Sequence, residues 1–126
     1  MKLSYVLLAS AIVCAARGLG LIVAPAELFS MYGVQTDIVG LWTAQFLGGV
    51  MIGFGLVNYL SRRSTASSTL SAILVGNFVT EFISFIFAAK GAATHIFSSL
   101  GWIPAGEHLI FMTAFSYFVF YRKGNP

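Results

Sequence analysis

Six side chains able to carry charge or to hydrogen-bond in several directions stand inside or beside stretches that are otherwise apolar: Arg17, Gln45, Asn77, Glu81, Glu107 and His108. Their types suit three kinds of chemistry. They can hold the polar head of a ligand through charge-assisted hydrogen bonds. Carboxyls buried away from water can act as general acid and base, which makes Glu81 and Glu107 the candidate catalytic residues of an isomerase- or cyclase-type enzyme acting on a hydrophobic substrate. Asn77, Gln45 or Arg17 would then orient that substrate. They can also do nothing but hold helices in register, as a buried Arg–Glu pair with interhelical amides. An arginine beside Glu81 would weaken it as an acid, which favours binding or structure over catalysis.

What must position these residues follows from the composition. Of 126 residues, 58% are hydrophobic and only 9% are charged, with a mean hydropathy of +0.88. A water-soluble domain carries about a quarter of its residues as charged side chains. This chain lacks the polar material to cover itself, so its outer surface has to be apolar, and lipid is the solvent that accepts such a surface. The expected architecture is all-α: an integral membrane four-helix bundle with spans at 3–23, 38–60, 69–89 and 103–121, each near the ~20 residues that cross a bilayer core. Met1-Lys2 and the following apolar run have the look of a signal peptide. The run continues through Leu19-Gly20-Leu21-Ile22-Val23, however, which suits a retained first helix. Residues 26–32, after Pro25 and before Gly33, read as a short helix lying in the interface.

Basic residues set the orientation. With alternating spans, Lys2, Arg62, Arg63, Arg122 and Lys123 fall on one side and Lys90 on the other. The positive-inside rule then places both termini in the cytoplasm, N-in and C-in, in an inner membrane of bacterial type. At 1.5 Å per residue, Arg17, Gln45 and Glu81 come out about 9–12 Å from the outer end of their spans, Asn77 about 18 Å, and Glu107 and His108 within about 8 Å. All six are thus expected in the outer half of the bundle, with glycine and aliphatic side chains packing the inner half. Arg17 and Glu81 are expected to pair, directly or through Gln45 or a water. Asn77, Glu81, Ser84 and Ala88 share one helix face, as do Ser10, Cys14 and Arg17.

Glycine enriches the second span. Gly49-x-x-x-Gly53 spacing lets helices approach closely, within the bundle in preference to a homodimer. A net charge of +3 spread along the chain has no stripe for phosphates, so nucleic acid is excluded as a partner. One cysteine, Cys14, excludes an internal disulfide. The two histidines and the lone cysteine make no metal-ligand spacing, and neither a phosphate loop nor a nucleophile elbow is present. No metal and no cofactor is therefore expected. A single polar level makes no continuous path, so transport ranks below binding and catalysis. The expected partners are membrane lipid, a small hydrophobic ligand, and either further copies of the chain or a larger membrane complex.

Arg17-Gly18 late in the first span, Pro25 closing it, Met31-Tyr32-Gly33-Val34, and the run from Gln45-Phe46-Leu47-Gly48-Gly49 to Ser61-Arg62-Arg63 resemble the DoxX-like group of small four-helix membrane proteins. The resemblance covers about the first half of the chain. The group's named member is a subunit of a thiosulfate–quinone oxidoreductase. The resemblance therefore implies an accessory subunit, or a protein that binds a lipid- or quinone-like molecule, and it carries over no catalytic residue.

Overall fold

The computed structural model describes residues 2–65 and 67–121. Four long helices, α1 (Leu3–Val23), α3 (Ile38–Ser61), α4 (Ser68–Ala93) and α5 (Trp102–Ser116), alternate in direction. A short helix, α2 (Pro25–Met31), follows α1, a 3-10 turn (Ser99–Gly101) leads into α5, and a π-turn (Tyr117–Tyr121) extends α5. No strand occurs among the described residues. Four segments, the fourth being Ser99–Tyr121, are long and apolar enough to cross a membrane. The expected spans match closely, except that α4 runs one turn beyond residue 89. Arg122 and Lys123, part of the orientation argument, lie outside the described residues.

Local chemistry explains the element ends. Pro25 ends α1 and, lacking an N–H that a first helical residue would leave unused, opens α2. Gly33, at φ +73°, closes α2: its N–H donates to the Ser30 carbonyl and the Val34 N–H to the Phe29 carbonyl, both at 3.0 Å, a Schellman motif. His95 plays the same part after α4. At φ 58° it takes the left-handed position, and the Ile96 N–H reaches back to the Gly91 carbonyl at 3.0 Å. Asp37 Oδ1 accepts from the Gly40 N–H at 2.9 Å and Ser67 Oγ from the Leu70 N–H at 3.1 Å, capping α3 and α4. The Ser98 N–H donates to the Tyr32 carbonyl at 2.7 Å and joins the two loops at the α2 end of the molecule.

α1 and α3 form the tightest pair. Gly18 and Gly48 face each other so closely that a Cβ on either would lie 2.6 Å from the other's carbonyl oxygen. Gly55 sits the same way over Ala11 and Cys14. The buried stripe on α3 is Ala44, Gly48, Gly55, Asn58 and Ser61. The expectation for Gly49-x-x-x-Gly53 is corrected here, because both glycines point away from the bundle with nothing within 4 Å of an added Cβ. Internal packing falls to their neighbours because a helix face repeats at three and four residues, and Gly48, not Gly49, shares the face of Ala44. The second hairpin, α4 with α5, meets the first through larger side chains. Val6 and Leu7 of α1 pack with Leu70, Leu74, Phe115, Phe118 and Val119 into the core at the end that carries the N-terminus and the loop after α3.

The close approach yields a test. Gly48→Val places branched carbons against the Gly18 backbone and should cost about 1–3 kcal/mol, the usual penalty for overpacking. Gly49→Val, on the open face, should stay within about 0.5 kcal/mol. Thermal midpoints of the purified protein in one detergent read both. Equal loss in the two variants would refute this packing.

Candidate functional site

Polar residues of the bundle divide into two levels. Nearer the end with the N-terminus, Asn58 of α3 and Asn77 of α4 exchange a reciprocal pair of hydrogen bonds, each Nδ2–H donating to the other's Oδ1 at 2.8 Å. The second Asn58 N–H donates to Ser10 Oγ of α1 at 3.0 Å, and the second Asn77 N–H to the Ile73 carbonyl at 2.9 Å. All four amide N–H bonds are used. Both asparagines are fully buried and Ser10 is 1% exposed. Three helices are therefore clasped at one point, by two amides with no N–H left over and a serine oxygen that accepts from one of them.

About one turn away along α4, roughly 6 Å at 1.5 Å per residue, a charged level begins at Glu81. His108 Nδ1–H donates to Glu81 Oε2 at 2.7 Å. Arg17 Nη2 of α1 meets Glu107 Oε2 of α5 at 2.8 Å. Glu107 and His108 are consecutive, and consecutive helical residues point about 100° apart, so α5 offers one to α1 and the other to α4. The expected Arg17–Glu81 pair is replaced by these two, because the start of α5 stands between the partners. Cys14 lies between the levels along α1, one turn after Ser10 and three residues before Arg17, and is buried.

The four charged residues are not sealed. Their side chains are 23% (Arg17), 25% (Glu107), 20% (His108) and 7% (Glu81) exposed. Among the described residues, Arg17 Nε and Nη1, Glu81 Oε1, Glu107 Oε1 and His108 Nε2 have no hydrogen-bond partner, so the free groups include both donors and acceptors. Yet no buried side-chain nitrogen or oxygen lacks a partner. These atoms therefore line surface that a small probe reaches, and the opening extends as far as the otherwise buried Glu81. On α5 the residues one turn either side of Glu107 on its face are Ile103 and Ile110, 59% and 70% exposed. The charged opening thus runs directly into lipid-type surface. A separate open groove of about 470 Å³, lined by Ser71, Ala72, Val75, Gly76, Phe118 and Val119, lies toward the other end and contains no charged side chain.

Of the six residues singled out by sequence, four, Arg17, Glu81, Glu107 and His108, come together in this opening. Two do not. Gln45 Nε2–H donates to the Ile22 carbonyl at 3.0 Å, so it caps the last turn of α1, whose carbonyls have no helical donor. Asn77 belongs to the amide clasp, so the expected single polar level, with only glycine and aliphatic side chains packing the inner half, is corrected. Asn58 was missed in the sequence because it sits three residues from the end of its helix, where polar side chains are ordinary. Extending the small-residue stripe Ala44, Gly48, Gly55 by one step reaches it.

The clasp can be tested apart from the charged level. Asn58→Ala strands the Asn77 amide in an apolar setting and should cost about 1–3 kcal/mol, the penalty of an unmade buried hydrogen bond. Asn58→Leu with Asn77→Leu removes both partners and should recover part of that loss. Thermal unfolding in detergent measures each, and a double variant less stable than either single one would count against the clasp.

No curated protein and no solved structure matches the chain. A family model does match, over residues 8–123, a range that takes in most of α1, the other three long helices and both polar levels. The chain belongs to the family described as Domain of unknown function (DUF8292).

Proposed function

We propose that this chain is an integral membrane protein that binds a small amphiphile at the opening formed by Arg17, Glu107, His108 and Glu81. The polar head would sit among the four side chains and the apolar tail in lipid. One observation carries the reading: hydrogen-bonding atoms without partners, reaching down to Glu81, open sideways onto apolar surface beside Ile103 and Ile110. A charged group facing lipid costs at least ~2.5 kcal/mol on insertion scales, and a bound polar head recovers much of it. Under the positive-inside rule both termini are cytoplasmic and the opening belongs to the outer half of a membrane of bacterial inner type. The DoxX-like resemblance of the first half supports the same role, as a ligand-binding or accessory protein.

A second reading rests on the Glu81–His108 pair. A carboxylate that holds Nδ1–H of an imidazole leaves Nε2 as a positioned base. His108 Nε2 carries no hydrogen bond among the described residues. In an acid–base isomerase or cyclase His108 would move the proton and Glu81 would orient it. That shifts the role from the Glu81 and Glu107 pair expected from sequence.

Native mass spectrometry after gentle extraction tests the binding reading. A bound amphiphile should be retained by the wild type, and Glu107→Leu should weaken its retention about tenfold, equivalent to ~1.4 kcal/mol. A wild-type protein that is always free of adducts, across several detergents and lipids, would end the proposal.

A further inference from the structure

Arg17 and Glu107 oppose each other's charge at the opening and still have hydrogen-bonding capacity to spare. Their contact uses Arg17 Nη2 and Glu107 Oε2, at 2.8 Å. A guanidinium has N–H donors on all three nitrogens and no acceptor, whereas an ionised carboxylate accepts at both oxygens and donates nowhere. Among the described residues, Arg17 Nε and Nη1 are therefore free donors beside the ion pair, and Glu107 Oε1 is a free acceptor. Each of these atoms is joined through a single carbon to the atom that makes the pair, so one small head can reach both sides. Glu107 is flanked on its helix face by the exposed Ile103 and Ile110. Deeper in the opening Glu81, 5% exposed, keeps Oε1 as a second acceptor without a partner. His108 Nε2 accepts on an uncharged ring and donates on a protonated one, so in either state both kinds of free group remain.

An ion suits this arrangement poorly. An ammonium drawn to Glu107 has to lie beside the Arg17 guanidinium, and a phosphate drawn to Arg17 has to lie beside the Glu107 carboxylate. Attraction to one member of the pair is offset by repulsion from the other, and the ion has still lost its water. A zwitterion would lose the water of two ions. A head that only accepts, such as an ester, leaves both free carboxylate oxygens unused.

We infer that the opening takes an uncharged head in which a donor stands beside an acceptor, a carboxamide or a hydroxyl, carried on an apolar tail. The acceptor of the head receives N–H bonds from Arg17, its donor gives to a free carboxylate oxygen, and the Arg17–Glu107 pair stays closed. The inference rests on the amphiphile-binding reading and adds the polarity of the head. A free fatty amide and a glyceride with an unesterified hydroxyl share this chemistry.

The test uses the full-length protein in nanodiscs of phosphatidylcholine, with dodecanamide, methyl laurate, dodecylamine and dodecyl phosphate as probes at neutral pH, read by saturable binding. Dodecanamide should bind at least tenfold more tightly than each of the others. Removing one member of the pair should redirect the preference: Arg17→Leu toward dodecylamine, Glu107→Leu toward dodecyl phosphate. Gly49→Ala, on the open face of α3, should keep the wild-type order. Where one pair variant does not fold, as judged by helical circular dichroism, the other carries the test, and the wild-type order decides if neither folds. Wild-type binding of the amine, the phosphate or the ester as tight as that of the amide would overturn the inference and leave the amphiphile reading standing. So would folded pair variants that keep the wild-type order. No saturable binding by any probe would overturn both. In nanodiscs doped with diacylglycerol, its selective retention would support the inference with a membrane glyceride as the source. Amide binding without that retention would support it with a free amide as the source.

Discussion

A bilayer core supplies no hydrogen bonds, so each polar atom placed between the ends of these helices needs a partner in the protein or an exit to something polar. Packing of the described helices can be traced to how that requirement is met. Asn58, Asn77 and Ser10 meet it completely, and in doing so tie α1, α3 and α4 at one depth. Interhelical hydrogen bonds in membranes average only about 0.6 kcal/mol, so their larger effect is on register. A slip of either helix by one residue would rotate an asparagine by about 100° and leave an amide unpaired.

Arg17, Glu81, Glu107 and His108 meet the same requirement incompletely. The Arg17–Glu107 ion pair and the His108–Glu81 hydrogen bond use one oxygen of each carboxylate, yet the other oxygen of each, one imidazole nitrogen and further Arg17 N–H groups remain free at an accessible surface. A closed amide level and an open charged level thus stand one helical turn apart on α4, the first with every amide N–H used and the second with hydrogen-bonding atoms still free. Rigidity below the opening comes from glycine as well: Gly18 against Gly48 brings α1 and α3 backbones together and holds Arg17 on a fixed helix. α5 approaches from the other side with two consecutive charged residues, so one short segment completes both pairs.

Much was legible in the residues alone. Hydropathy and length are properties of local sequence, and a bilayer of fixed thickness converts them almost directly into spans. Helix periodicity likewise assigned Ser10, Cys14 and Arg17 to one inward face of α1, and Asn77, Glu81, Ser84 and Ala88 to one of α4; all are buried except Arg17 and Ser84, which are half-buried. Ala24-Pro25 and Gly33 marked the ends of α2 through backbone constraints that act over four residues or fewer. The charged residues of the opening also stood out, because a charge in an apolar run is costly wherever it is pointed.

Partner choice was decided only by the tertiary arrangement. Depth along a helix is readable from sequence, but angle around the bundle is not, and Arg17 finds Glu107 and not Glu81 because of how α5 is set between α1 and α4. The same angular information moved Asn77 into the clasp with Asn58, turned Gln45 to the Ile22 carbonyl, and put Gly48 inside and Gly49 outside. By itself, the sequence determined that this is a chain of four apolar helices carrying polar groups it must satisfy. Which groups satisfy one another, and which are left facing an opening, depends on side-chain directions that no single helix specifies. They are set when neighbouring helices pack against each other.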